Sequence, residues 1–391
     1  MVQFGIDQLL KLTPAWKKQR IGFVTNQAAT TNELISSRKA LLDHGFNITK
    51  LFSPEHGLLL DGADGAPMPD GVDSLTGIKV ISLYGKKLAP TSSDLSEIDL
   101  LLFDIPDIGC RYYTYLWTLS YLMEAAAFHQ LPLVILDRPN PISGNLALAE
   151  GPMLTASEAS FIGRWNIPIR HSCTLGELAK YFNEVRNMGC MLEIIRCSNW
   201  NRTDFQPDWG IPFVPTSPAI QSFQSMLLYP GLCLFEATNI SEARGTHFAF
   251  QAIGAPWMET SMIAGIMNQM SMDEVLATSI QFEPFEGKYL DQVCKGLQFK
   301  VQQPEYFQIV SYGLMLIRLL KEMHPNEFAW KPYITSVNKT GMHHLSKLLG
   351  ILEAEKMFEL PLQKFIAQSA KLTAVPAWKE AVAPYLMYGT I

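Results

Sequence analysis

Short runs of β-branched and aliphatic residues alternate with longer stretches of helical periodicity over the first two hundred positions. Ile21–Thr25 (IGFVT), Ile48–Phe52 (ITKLF), Lys79–Leu83 (KVISL), Leu100–Asp104 (LLLFD), Leu133–Asp137 (LVILD) and Leu192–Arg196 (LEIIR) read as strands. Helical patterns run through Leu34–His44, which stops at Gly45 as a C-cap, and through Tyr112–Phe128. A third starts at Thr174, where Glu177 three residues on completes a capping box. This alternation is the mark of βαβ units around a parallel sheet. Tyr112–Phe128 is apolar on nearly every face, so it is expected between the sheet and another layer, with its polar end at the N-terminus. Residues 206–230 carry five prolines and little periodicity. The domain junction is placed there, giving an N-terminal domain over 1–205 and a smaller α/β or α+β domain over 206–391 that closes a cleft. Helices are expected in the latter at Met262–Met270, Gly313–Met323 and Met342–Ala354.

Composition narrows the partners. The 391 residues are 48% hydrophobic and 17% charged, enough to bury a large core. The net charge is −6 and no lysine cluster exceeds a pair, so no nucleic acid is expected as partner. No apolar stretch approaches the roughly 18 residues that span a bilayer, so no membrane insertion is expected. Six scattered cysteines with no CxxC pair read as reduced, buried thiols.

In an open parallel sheet, ligands bind beyond the carboxyl ends of the strands. There this sequence places Thr25-Asn26-Gln27, Ser53-Pro54-Glu55-His56-Gly57, Asp104 through Arg111, and Asp137-Arg138-Pro139-Asn140-Pro141. A carboxyl beside an imidazole, as in Glu55-His56, suits proton transfer. Asp104 and Asp107 read equally as turn residues or site residues, and Asp137-Arg138 reads as a local ion pair as readily as a site. His171 and His247 stand beside polar or glycine-containing motifs and are further candidates, whereas His343-His344 reads as surface or core filler. An Asp104, Asp107, His56 and Asp137 set offers donors for a divalent cation, although no metal or other cofactor is required. GxGxxG is absent after the first strand, and GxxxxGK[ST], HExxH and GxSxG are absent throughout. What remains is a cleft lined by carboxylates, arginines and tyrosines, suited to a sugar and particularly to an acidic one.

The blocks IGFVTNQAA (21–29), LFSPEHGL (51–58), LLFDIPDIGCRYYTYLWTLSYLMEAA (101–126), VILDRPNPISG (134–144), RHSCTLGELA (170–179) and YPGLCLFEATNISEARGT (229–246) together resemble the DUF1343 family. Its characterised members resemble exo-β-N-acetylmuramidases of the NamZ type. The resemblance implies a Rossmann-like parallel sheet with helices on both faces and a second domain closing the cleft. It also implies release of terminal N-acetylmuramic acid from the non-reducing end of peptidoglycan fragments, in cell-wall turnover and recycling. Departures from the family pattern fall at Pro106, Ala219, Ala243 and the His171-Ser172-Cys173-Thr174 stretch.

Under that reading Glu55 is the acid, and His56 orients it or shares its proton. The second group is Asp107 first and Glu242 next, with the substrate's own acetamido oxygen as a third route. N-acetylmuramic acid carries a lactyl carboxylate, for which Arg111 or Arg244 is the expected clamp. Asn26, Tyr113 and Asn239 are expected on ring hydroxyls or the acetamido group, and Arg138 and His171 complete the substrate-binding set. A non-catalytic muropeptide-binding protein and a metal-dependent hydrolase are the competing classes. The family match starts almost at Met1 and the thiols suit a reducing compartment, so a cytoplasmic location is expected, or a periplasmic one if an export signal was trimmed.

Overall fold

The computed structural model describes residues 1–271 and 273–389. All six expected strands form: β1 (Ile21–Thr25), β2 (Ile48–Ser53), β4 (Lys79–Ser82), β5 (Leu100–Asp104), β6 (Leu133–Leu136) and β7 (Leu192–Ile195). With the two-residue β3 (Gly71–Val72) they make a seven-stranded sheet of order β3-β4-β2-β1-β5-β6-β7. Every pairing is parallel except β3 with β4.

Side-chain alternation sorts the strands' apolar residues into two cores. Leu101, Phe103 and Ile135 pack with the Tyr115–Phe128 and Leu175–Val185 helices, while Leu100, Leu102 and Val134 pack with Ile6, Leu9 and Leu41 from the Gly5–Leu9 and Ser37–Asp43 helices. The sheet is thus covered on both faces, in a Rossmann-like α/β arrangement. Thr174 caps its helix as expected, its hydroxyl accepting from the Glu177 N–H while Glu177 accepts from the Thr174 N–H.

The helix expected from Tyr112 begins at Tyr115. Residues 111–114 are instead pulled into a turn, where Tyr112 and Tyr113 hydrogen-bond Pro230 and Thr216 of the other half of the chain. Within the region expected to be irregular, Phe223–Leu232 forms a helix with Pro230 inside it, leading into a 3₁₀ turn at Cys233–Ala237. It crosses the Ile309–Met323 helix closely: a Cβ on Gly313 would stand 2.6 Å from the Gly231 carbonyl oxygen. Only glycine permits that approach. A smaller antiparallel sheet, order β8-β10-β9, comprises β8 (Ala252–Ala255), β9 (Val275–Phe282) and β10 (Cys294–Val301).

Buried ionic groups join the two halves. Glu150 accepts from the N–H groups of Val310 and Ser311, the orphan donors of the 309–323 helix start. The chain end returns to the large sheet, where Tyr388 donates to Asp137 at 2.6 Å and accepts from the Cys197 N–H. Burial pushes the Asp137 carboxyl up to about 6 despite donors from Tyr388, Thr174 and Gly176. Since this folded-state value lies above the ordinary 3.8, ionising Asp137 costs stability as pH rises through about 6. Tyr388→Phe removes a donor to that carboxylate, so a loss of about 1–3 kcal/mol is expected. Urea midpoints should fall more at pH 8 than at pH 5; an equal fall at both would mean the hydroxyl does not serve the charged form.

Candidate active site

The SPEHG turn leaves β2 and folds back on itself. His56 takes a left-handed φ of +64°, Gly57 donates to the Pro54 carbonyl, and the His56 Nδ1 lies 2.9 Å from the Gly62 carbonyl oxygen. This brings Gly65, at φ +65°, over the Glu55 side chain, where its N–H donates to Oε1 at 3.2 Å. Thr114, before the 115–128 helix, donates to Oε2 at 2.6 Å. Burial pushes the Glu55 carboxyl above its ordinary value and Asp64 adds to this, against opposition from His56, Thr114 and Tyr84.

Glu55 lines a small inner cavity together with His56, Asp64, Tyr84, Tyr113 and residues of the C-terminal half, including Glu236, Arg244, Tyr333 and His344. The 3₁₀ turn at 233–237 carries Glu236, whose Oε1 accepts from Arg244 at 2.7 Å and whose Oε2 is 3.1 Å from His344 Nε2. Burial works against the charge on Glu236, but Arg244 and His344 win and hold its carboxyl at about 2. The His344 ring stacks on Tyr333 at 4.7 Å, and the Tyr333 hydroxyl donates to Asp64 at 2.6 Å. Two buried glutamates thus face one cavity with proton affinities driven apart, the arrangement that separates an acid from an anion.

His56, Asp64, Ala219, Arg244 and Tyr333 also line an outer cleft of about 960 Å³, so the inner pocket opens into it. Arg244 stands on the shared rim, 3.2 Å from Asp64 and 3.3 Å from Glu242, with its guanidinium over the Phe250 ring. Its Nε–H is not aligned for a hydrogen bond to Glu242.

The structure therefore brings Glu55, His56, Tyr113 and Arg244 together and sends other expected residues elsewhere. Asp107 accepts from the Gly109 N–H at 2.9 Å, lies 3.2 Å from His171 Nε2, and faces a separate cavity. His171 is fully buried and its Nδ1 accepts from the Cys173 N–H. The Arg138 guanidinium is held by Asp104 at 2.5 and 2.9 Å and by the Thr30 carbonyl at 2.7 Å. Arg111 cannot clamp a ligand: its buried guanidinium donates to the carbonyls of Pro152, Ile167 and Leu348. Asn26 turns its own loop by accepting from the Ala28 N–H. Asn239 lines the outer cleft, but its amide is consumed by the Glu327 carbonyl and the Ala329 N–H. Glu242 also lines that cleft, 2.9 Å from the Lys288 ammonium. The Asp104, Asp107, Asp137 and His56 set does not converge; among the described residues Glu55, His56 and Asp64 are the group whose donor atoms lie within 4.8 Å of one another.

Sequence reasoning passed over Glu236, Asp64, Tyr84 and Tyr333, and it read His344 as surface or core filler, whereas His344 holds Glu236 in the pocket wall. Glu236 and Glu242 stand in the same FEATNISEARG block, where only burial and partners tell them apart.

Family models of the exo-β-N-acetylmuramidase NamZ match this chain twice, the N-terminal model over residues 21–224 and the C-terminal model over 227–388. The chain belongs to the NamZ family. A curated NamZ relative, the peptidoglycan β-N-acetylmuramidase of Bacillus subtilis (strain 168), is 39% identical over 332 residues, which are 84% of this chain and 79% of the relative. Two crystal structures of DUF1343 family proteins from Bacteroides fragilis NCTC 9343 share the NamZ-family fold seen here. They are 27% and 26% identical, each match covering 99% of both chains, with TM-scores of 0.87 and 0.77.

Proposed function

We propose that this chain is a glycosidase that releases terminal N-acetylmuramic acid from the non-reducing end of peptidoglycan fragments. The observation that carries the mechanism is the burial of Glu55 in a pocket it shares with Glu236. Glycoside hydrolysis needs a proton for the leaving oxygen and negative charge for the oxocarbenium-like centre. Glu55, whose proton affinity burial raises, is the proton donor, and the Gly65 and Thr114 bonds fix its direction. Glu236, ionised throughout the working range, supplies the anion; Asp107 is replaced in that role because it opens on another cavity. The inner pocket, opening on one side into the wider cleft, supports removal of one terminal residue at a time. The outer cleft then takes the remainder of the fragment.

Recognition of the lactyl carboxylate falls to Arg244, the arginine of the pocket wall. Release of a chromogenic group from a β-N-acetylmuramide, but not from the N-acetylglucosaminide lacking the lactyl group, tests the reading. Arg244→Ala is expected to lower kcat/KM on the muramide by about 10- to 100-fold, the worth of one charge-assisted contact. The glucosaminide should lose rate too, because Glu236 loses its Arg244 partner, but by a smaller factor than the muramide. Equal losses on both substrates would remove Arg244 from lactyl recognition.

A further inference from the structure

Two irregular loops from opposite halves of the chain meet over the catalytic pocket. Residues 63–67 hang between two fixed points. One is Gly62, whose N–H donates to the His56 carbonyl and whose own carbonyl oxygen lies 2.9 Å from His56 Nδ1; the other is Met68, whose N–H donates to the Tyr84 carbonyl. Residues 333–341 form the second loop, closed on itself by the bond from the Tyr333 N–H to the Gly341 carbonyl. Tyr333, Thr335 and Val337 of this loop line the inner pocket.

The Tyr333 hydroxyl donates to Asp64 at 2.6 Å, the Ser336 N–H donates to the Gly65 carbonyl at 2.9 Å, and Arg244 stands 3.2 Å from Asp64. The Asp64 side chain is 32% exposed, so the junction lies at the surface, in the wall that the inner pocket and the outer cleft share. Behind that wall the inner pocket holds about 60 Å³, far below the roughly 300–1,000 Å³ of a site that takes a small ligand. The cleft outside holds about 960 Å³. A sugar residue therefore reaches Glu55 only when the wall parts. Of the polar groups in it, Arg244 is gripped from within by Glu236, and His56 is tied to Gly62. The bonds on Asp64 and Gly65 are the ones left to yield.

We propose that Tyr333 is a positioning residue whose hydroxyl latches the 63–67 loop over Glu55, and that the sugar enters when this latch parts. The sugar as ligand rests on the function proposed above, whereas the latch rests on the contacts alone. Closing the latch has a chemical consequence. It sets the Gly65 N–H on Glu55 Oε1 and brings an Asp64 carboxylate oxygen within 4.8 Å of donor atoms of Glu55 and His56. The titratable groups facing Glu55 are His56 on its own turn, Asp64 on the loop and Tyr84 after β4, and of these Asp64 pushes the Glu55 carboxyl up. The acid is thus aimed and primed in the closed form, once substrate is seated, which is how a lid commits its substrate.

Amide hydrogen exchange on the full chain tests the latch directly. Tyr333→Phe removes the hydroxyl and keeps a ring to stack on His344. Exchange at Gly65 and Ser336 is expected to quicken about 10- to 100-fold, the worth of a hydrogen bond to a charged group, while β1 and β5 exchange as in the wild type. The alkaline limb of the rate on a β-N-acetylmuramide should move to lower pH, because the loop that swings away takes the Asp64 charge from Glu55. A second arm joins Ala63→Cys to Ile334→Cys, both exposed beside the latch, with a reducible bismaleimide; the six native cysteines are buried and stay unmodified. Measured against the same chain with each thiol capped singly, the joined chain is expected to stop turning over the muramide and to recover on reduction. Wild-type exchange in Tyr333→Phe, or undiminished turnover in the joined chain, overturns the proposal and leaves the glycosidase reading intact. A chain that hydrolyses nothing in any form while Gly65 exchange still responds would sink the glycosidase reading and leave the latch standing.

Discussion

Glu55→Gln is expected to lower kcat on a β-N-acetylmuramide by about 10²–10⁴-fold, the usual worth of a positioned general acid. The amide has the shape of the protonated carboxyl and still offers an oxygen to Gly65 or Thr114, but it has no proton to give the leaving oxygen. Stability should not fall with activity. Burial raises the Glu55 carboxyl above its ordinary value, so ionising it costs the fold stability as pH rises, and the neutral amide escapes that cost. The variant should therefore melt no lower than the wild type at pH 8. The same displacement sets the wild-type profile: activity falls on the alkaline side as Glu55 loses its proton. Glu236, held at about 2, adds no acid limb at ordinary pH. The deficit should shrink on substrates whose leaving group departs without protonation. Full turnover by Glu55→Gln, or an alkaline limb that survives in it, would move the acid to another residue.

The parallel strands were legible because burial on both faces makes them continuous apolar runs, bounded by turn residues, with helices of strong period between them. The antiparallel pair β9 and β10 was not. Val275–Phe282 leaves Leu276 and Ser279 at the surface, and its alternation is too mixed to separate from loop. The 223–232 helix was hidden by Pro230, which reads as a breaker although it sits near the last turn, just before the chain tightens into the 3₁₀ segment. For the site, the strand-end rule found Glu55 and His56, yet it treats every strand end as one place. Side-chain direction divides them: β2's loop opens on the catalytic pocket, while Asp107 and Arg138, after β5 and β6, line a separate cavity. Glu236 and His344 are 108 residues apart, and no local pattern announces that one will hold the other.

Arg111 shows the same limit most sharply, and its replacement by methionine is expected to destabilise the protein by about 3–5 kcal/mol. An arginine beside an aromatic block reads as a carboxylate clamp, but its three acceptors are carbonyls 41, 56 and 237 residues away. Burial pulls the guanidinium down to about 10, so the fold keeps a charge there at a cost in desolvation. Methionine removes that cost but leaves the Pro152 and Leu348 carbonyls without donors, each worth about 1–3 kcal/mol, and the Ile167 carbonyl with only the long bond from the Leu154 N–H, so the lost bonds prevail. Leu348 is the most telling of the three. Its carbonyl belongs to the last turn of the His344–Leu349 helix, where no backbone donor remains, and that helix begins with the histidine that grips Glu236. Arg111→Met should therefore lose kcat along with its urea midpoint and regain part of the rate on cooling, with KM on the muramide little changed. Arg111→Lys, which keeps the charge but reaches fewer carbonyls, should fall between. A rise in KM at an unchanged midpoint would mean instead that Arg111 meets the substrate.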